Sequence, residues 1–272
     1  MCRLLAYAAP RSTTFGDLLG EATCHQFTSM ARLHRDGWGT AFVDERHEVL
    51  RVRSDSSALI DPRYAGELAV PSRARIAHLR FATDSMDVQA TNSHPFLGFG
   101  MAFAHNGSLV PVRALRHGLR SDMRHLIDGT TDSEMYFAWI LQSLSDAGDG
   151  DLPRAVARTV SELRHHYPLA SLNCLLLSAE ELIVVRASHL ASAPTDQFAE
   201  SGLAPEELPP EHLDAYFRVV WRRFADRSIA FSSAGIDRTG WTKLPDESIT
   251  VVDLDTLDAE VRPLEAALAS AS

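Results

Sequence analysis

The order in which hydrophobic patterns follow one another restricts this chain most. Short runs with the period of a strand open it: CRLLAYAA at 2–9, TAFVDE at 40–45, EVLRVRS at 48–54, ARIAHLRFAT at 74–83 and GMAFAHNG at 100–107. Between the first two, residues 13–33 read as helix in pieces and end at the Gly-bracketed turn HRDGWG. Two helices follow. One starts at Thr131 or Asp132 and runs into DSEMYFAWILQSL; the other covers about 151–166 after the break SDAGDGD. Strand patterns then return in NCLLLSA, ELIVVRAS, the pair YFRVVWRRF and RSIAFSSAG joined around Ala225–Asp226, and SITVVDL, which ends near residue 254. Strands, then helices, then strands is not the regular alternation of a doubly wound parallel sheet. It predicts an α+β fold of two antiparallel sheets covered by helices. The segment 190–214, rich in Pro, Ala and acid, reads as a surface loop or insertion with a short helix, and the tail EAALASAS reads as a fraying end.

Length and charge narrow the function. The 272 residues suffice to bury a sizeable core. A diffuse net charge of −10 opposes non-specific nucleic-acid binding, which needs clustered cations. No run approaches the roughly 20 apolar residues of a membrane span, and the N-terminus lacks the apolar core of a secretory signal. The expected setting is cytoplasmic, with neither membrane nor nucleic acid as partner. Three cysteines with no CxxC spacing do not make a disulfide framework. Cys174 lies in an apolar run and reads as packing. A metal protein built on Cys24, His25 and His34 is conceivable, but their spacing is poor for zinc.

Cys2 stands apart because of its position. Removal of the initiator Met before a small residue leaves Cys2 with a free α-amine. Such amines have pKa values of about 7.7–8.0, so near neutrality much of the population can accept a proton. One residue then supplies both a nucleophile and the base that activates it. Other groups suit the same chemistry. In AHNGSL, the side chain of Asn106 and the backbone N–H of Gly107 can serve a tetrahedral oxyanion. The same Asn-Gly is also an ordinary turn after a strand. In HLRFAT, Arg80 can grip a carboxylate in bidentate fashion with Thr83 beside it; an Arg on an edge strand needs no such role. In GTTDSE, Asp132 can bind an ammonium or simply cap a helix. His94-Pro95 in NSHPF reads as a rigid turn shaping a pocket, with no catalytic role.

Taken together and in order, the N-terminal Cys, DGWG, HxRxAT, NxHP, HNG and TDSE resemble the glutaminase domain of class II glutamine amidotransferases. The match runs from residue 2 to about 134, and SSAGIDRTGWTKLP at 232–245 resembles the end of the compact members. MCRLLAY and HRDGWG look closest to that compact branch, which includes stand-alone γ-glutamyl amidohydrolases. The resemblance implies a four-layer αββα sandwich of the N-terminal-nucleophile hydrolase type. It implies Cys2 as nucleophile with its α-amine as base, and Asn106 and Gly107 as oxyanion hole. Arg80, with Thr83 nearby, would bind the substrate α-carboxylate and Asp132 the α-ammonium. The chemistry so implied uses no cofactor and no metal. The substrate would be glutamine or a γ-glutamyl conjugate, with ammonia either passed to a separate acceptor enzyme or an amine simply released. A catalytically idle binding or regulatory protein on the same fold is the alternative. Two departures bear on substrate choice: Phe81 stands where many members have Trp, and Asp84-Ser85 where they have His-Gly. The domain is expected to span 2–255, with the insertion at 190–214 and a tail over 256–272.

Overall fold

The computed structural model describes residues 2–82, 86–209, 211–233 and 235–269. Among these described residues, thirteen strands form two sheets. We number them β1 (Arg3–Thr13), β2 (Trp38–Val43), β3 (Val49–Ser54), β4 (Ser72–Leu79), β5 (Phe96–Gly98), β6 (Met101–Asn106), β7 (Asn173–Leu177), β8 (Glu181–Arg186), β9 (Val219–Arg223), β10 (Ile229–Ser233), β11 (Thr242–Lys243), β12 (Ser248–Asp253) and β13 (Ala259–Pro263). One sheet has the order β11-β9-β10-β1-β4-β2-β3, the other β13-β12-β8-β7-β6-β5. The pairings are antiparallel. This is the α+β arrangement of two antiparallel sheets expected from the element order.

Side-chain alternation builds the layers. Successive residues of a strand point to opposite faces. Leu4, Ala6 and Ala8 of β1 enter the core between the sheets, together with Leu175 and Leu177 of β7 and Leu182 and Val184 of β8. Leu5, Tyr7 and Ala9 pack the other way, onto Phe15, Phe27 and Met30 of the helical segments between residues 15 and 32. On the second sheet, Cys174, Leu176, Ile183 and Val185 face the helices Asp132–Ala147 and Leu152–His166. The central strands are therefore buried on both faces and read as continuous apolar runs. The small residues between the sheets (Ala6, Ala8, Ala41, Ala74, Ala102, Ala104) let them approach closely. The result is helix, sheet, sheet, helix.

Two expectations need correction. The strand foreseen over 74–83 is β4, which ends at Leu79, so Arg80 emerges at its edge. Nor is the stretch after residue 255 a loose tail, and of EAALASAS residues 265–269 are helical while 270–272 lie outside the described residues. β13 pairs with β12, and the helix Leu264–Ala269 buries Leu264 and Ala267 in the helix-side core. Its strand, AEVRP, is an edge strand of mixed polarity, and edges carry little of the alternation that reveals a strand.

Segment 190–214 does carry a short helix, Thr195–Glu200. It is more than a surface loop: Phe198 and His212 are buried, with Phe198 packed against Leu33, Tyr216 and Phe217 and half-buried Phe81 beside them. No helix of the described residues is long and apolar enough to cross a membrane.

Candidate active site

Three strand ends meet at one end of the sandwich. Cys2 precedes β1 and shares the parity of Leu4 and Ala6, which face the other sheet. Asn106 closes β6 with the parity of Ala102 and Ala104, again facing between the sheets. In β1 against β4, Leu4 lies opposite His78 and Arg3 opposite Leu79, so the next step of the register sets Cys2 beside Arg80.

The contact between Cys2 and Asn106 fixes the orientation of the amide. The backbone nitrogen of Cys2 donates to Oδ1 of Asn106 at 3.1 Å. That leaves Nδ2 of Asn106 buried and without a hydrogen-bond partner. A buried N–H donor with no acceptor costs about 1–3 kcal/mol. An N–H so left is able to donate to an incoming oxygen. Behind it the loop is braced. The hydroxyl of Ser171 donates to the Asn106 carbonyl at 2.7 Å. A Cβ on Gly107 would fall 1.9 Å from the carbonyl oxygen of Ser171, so only glycine fits there. His105 completes the brace: Nε2 lies 2.9 Å from the Ser171 carbonyl and Nδ1 2.9 Å from the Ser133 hydroxyl. A carbonyl only accepts, so Nε2 carries the proton. Burial lowers the pKa of His105, and in the neutral ring Nδ1 accepts from Ser133.

Arg80 is buried, and its guanidinium is anchored from behind. It donates to the backbone carbonyls of Asp36 and Asp87 at 3.2 Å each. The carboxylate of Asp36 accepts the Ala82 backbone N–H at 2.8 Å. Asp36 thus ties down the chain on both sides of Phe81. The adjoining Gly37 has φ +134, and a Cβ there would lie 2.6 Å from the Ser93 hydroxyl. The DGWG turn therefore supports the Arg80 segment. Burial lowers the pKa of Arg80, while Asp36 and Asp132 act against that, and a guanidinium stays charged. Asp132 begins the helix Asp132–Ala147, whose cap is Thr131: its hydroxyl accepts the Glu134 N–H at 3.2 Å. One carboxylate oxygen of buried Asp132 accepts the Leu109 N–H at 2.6 Å. Thr83 lies outside the described residues, as do Asp84 and Ser85. Of the six residues singled out from sequence, five are described. They occupy strand ends and a helix start around one point.

The sequence profile of class II glutamine amidotransferases matches residues 1–207. The chain belongs to that family. It is 25% identical over 306 aligned residues to "Probable glutamine amidotransferase DUG3" of Saccharomyces cerevisiae, covering 94% of this chain and 83% of the yeast protein. It is 28% identical to the γ-glutamyl-hercynylcysteine sulfoxide hydrolase of Mycolicibacterium smegmatis, covering 67% of this chain and 78% of that one. A glutamine aminotransferase class-II domain protein from Silicibacter pomeroyi superposes with a TM-score of 0.62 at 20% identity, covering 96% and 99% of the two chains. That likeness supports the amidotransferase fold and the four layers described above.

Within this family frame the remaining cysteines separate cleanly from Cys2. Burial pushes the Cys24 thiol up to about 11 and the Cys174 thiol up to about 12, so both stay protonated and unreactive at neutral pH. Cys24, His25 and His34 do not gather: among the described residues the one group of three metal-ligating side chains is a different set, Cys2, His78 and His94. A surface cleft of about 940 Å³, lined by residues such as Glu48, Phe99, Leu144 and Asp151, contains none of the amidotransferase motifs. Sequence reasoning missed Asp36, His105, Ser133 and Ser171, which hold the site from behind. DGWG and AHNG contained the first two, but nothing local marks Ser171, which reaches the site from 65 residues away.

Proposed function

We propose that this amidohydrolase is a free-standing hydrolase of γ-glutamyl conjugates. Cys2, made N-terminal by loss of Met1, is the nucleophile. Its α-amine takes the thiol proton, and the sulfur attacks the side-chain carbonyl carbon of the glutamyl group. The oxyanion so formed is met by Nδ2 of Asn106 and the N–H of Gly107. Collapse breaks the C–N bond, and the departing amine leaves with the proton held by the α-amine. Water, deprotonated by the same amine, then cleaves the thioester to release glutamate and restore the thiol. Arg80, aided by Thr83, binds the substrate α-carboxylate and Asp132 the α-ammonium, so the zwitterionic head meets one cation and one anion.

The observation that carries this reading is the Cys2–Asn106 bond at 3.1 Å, which leaves the second amide nitrogen unpartnered at the thiol. The preference for a conjugate over glutamine rests on the similarity to the mycobacterial γ-glutamyl hydrolase over most of that protein's length.

Glutamate release from a panel of γ-glutamyl amides and from glutamine tests it, with Cys2→Ala as control. Faster release from at least one conjugate, abolished by Cys2→Ala, is expected. A preference for glutamine would move the protein to the ammonia-donor reading, with a separate acceptor enzyme. Alkylation by 6-diazo-5-oxo-norleucine is expected on Cys2 of a chain whose intact mass lacks Met1. Labelling at Cys24 or Cys174 instead would remove Cys2 from the reaction.

A further inference from the structure

The two histidines beside the thiol have no task in the mechanism above. His78 and His94 are both buried, and their rings stack with centroids 4.1 Å apart and planes inclined by 28°. Neither ring nitrogen of His94 has a hydrogen-bond partner, and His78 has only the backbone of His105 within reach. Buried imidazole nitrogens without good partners are costly, because they have given up water without replacement. Gly39 lets them in: a Cβ there would lie 2.1 Å from the His94 carbonyl oxygen. One nitrogen of each ring and the Cys2 sulfur lie within 4.8 Å of one another.

We propose that Cys2, His78 and His94 form a latent site for one thiophilic divalent cation, with Zn²⁺ as the best fit, and that its occupation switches the enzyme off. A thiolate and two neutral imidazoles are zinc's preferred ligand types. Bonds of about 2.0–2.3 Å at tetrahedral angles put ligand atoms roughly 3.3–3.8 Å apart. The three side chains therefore have to close by about an ångström. Imidazole binds metal in its neutral form and cysteine as the thiolate. The α-amine freed by loss of Met1 supplies the fourth ligand, closing a five-membered chelate with its own sulfur. Binding displaces the thiol proton and, from each chain whose α-amine is protonated, a second proton from that ammonium; the sulfur lone pair that would attack a carbonyl is spent on the metal. Loss of activity on binding rests on Cys2 being the nucleophile; binding itself does not.

Co²⁺ titration of the metal-free protein tests the site directly. The expected result is one ion per chain, with a thiolate-to-cobalt absorption band that Zn²⁺ abolishes. The band is expected to vanish in Cys2→Ser, to need at least tenfold more Co²⁺ in His94→Ala, and to be unchanged in Cys24→Ser. In the unaltered protein, one equivalent of Zn²⁺ should block alkylation of Cys2 by iodoacetamide, and a chelator should restore it. Absence of the band, its survival in Cys2→Ser, or undiminished alkylation with Zn²⁺ bound would each overturn the proposal. Diazo-oxo-norleucine labelling of the metal-free protein judges the nucleophile separately, so the two readings fail independently.

Discussion

At the scale of single residues, the site depends on atoms left unsatisfied and on atoms that are absent. Asn106 has one side-chain atom engaged and one waiting. Asn106→Ala removes the waiting donor, and kcat should fall by about 10²–10³ with little change in KM, since the oxyanion exists only in the transition state. Steady-state kinetics on the best conjugate check this. Gly107 matters for what it lacks. Gly107→Ala drives a methyl to 1.9 Å from the Ser171 carbonyl and must dislodge the His105–Ser171 brace. Its melting temperature should drop by several degrees. By contrast, Gly66→Ala meets nothing within 4 Å in the helix Tyr64–Leu68 and should gain about 0.5–1 kcal/mol. The candidate chemical residues could be picked out in the sequence because acyl transfer needs few and specific groups. Their supports were not, because Ser133 and Ser171 look like any other serine until the fold brings them to His105.

At the scale of elements, the segment after β4 illustrates how a loop is made rigid enough to bind. Asp36, from the turn before β2, accepts the Ala82 amide and offers its own carbonyl to Arg80. If Arg80 binds substrate as proposed, Asp36→Ala should loosen its guanidinium, raising KM several-fold while kcat changes less. Asp36→Asn keeps an acceptor oxygen and should restore most of the loss, which a simple charge effect would not allow. The segment 190–214 is the second element-scale feature. Composition predicts an exposed loop, yet Phe198 is buried against Tyr216 and Phe217, next to Phe81. A lone aromatic among Pro, Ala and acid has no periodic partner, so no sequence pattern announces its burial.

At the scale of the whole molecule, three buried histidines couple folding to pH. His78, His94 and His105 all have pKa values lowered chiefly by burial. In the unfolded chain each titrates near 6.5. Above that value all are neutral in both states and cost nothing. As pH falls below it, the unfolded chain binds protons that the folded one refuses, so stability is lost, by up to about 1.4 kcal/mol per pH unit for each group. Urea unfolding followed between pH 7.5 and 5 should show this slope, and His94→Gln should make it shallower.

The sequence by itself determined the periods, the two helices with a polar cap at Thr131 or Asp132 for the first, and the thiol next to the start; the structure chose Thr131 and added Asp151. These are local properties, set by neighbours within a few positions, and an acyl-transfer site needs residue types that stand out. Only the tertiary structure decided that β13 and the final helix complete the second sheet, that Phe198 folds inward, and that His78 and His94 stack beside Cys2. Each of those is a contact between segments far apart in the chain. Its energy comes from burying surface that no local pattern identifies in advance.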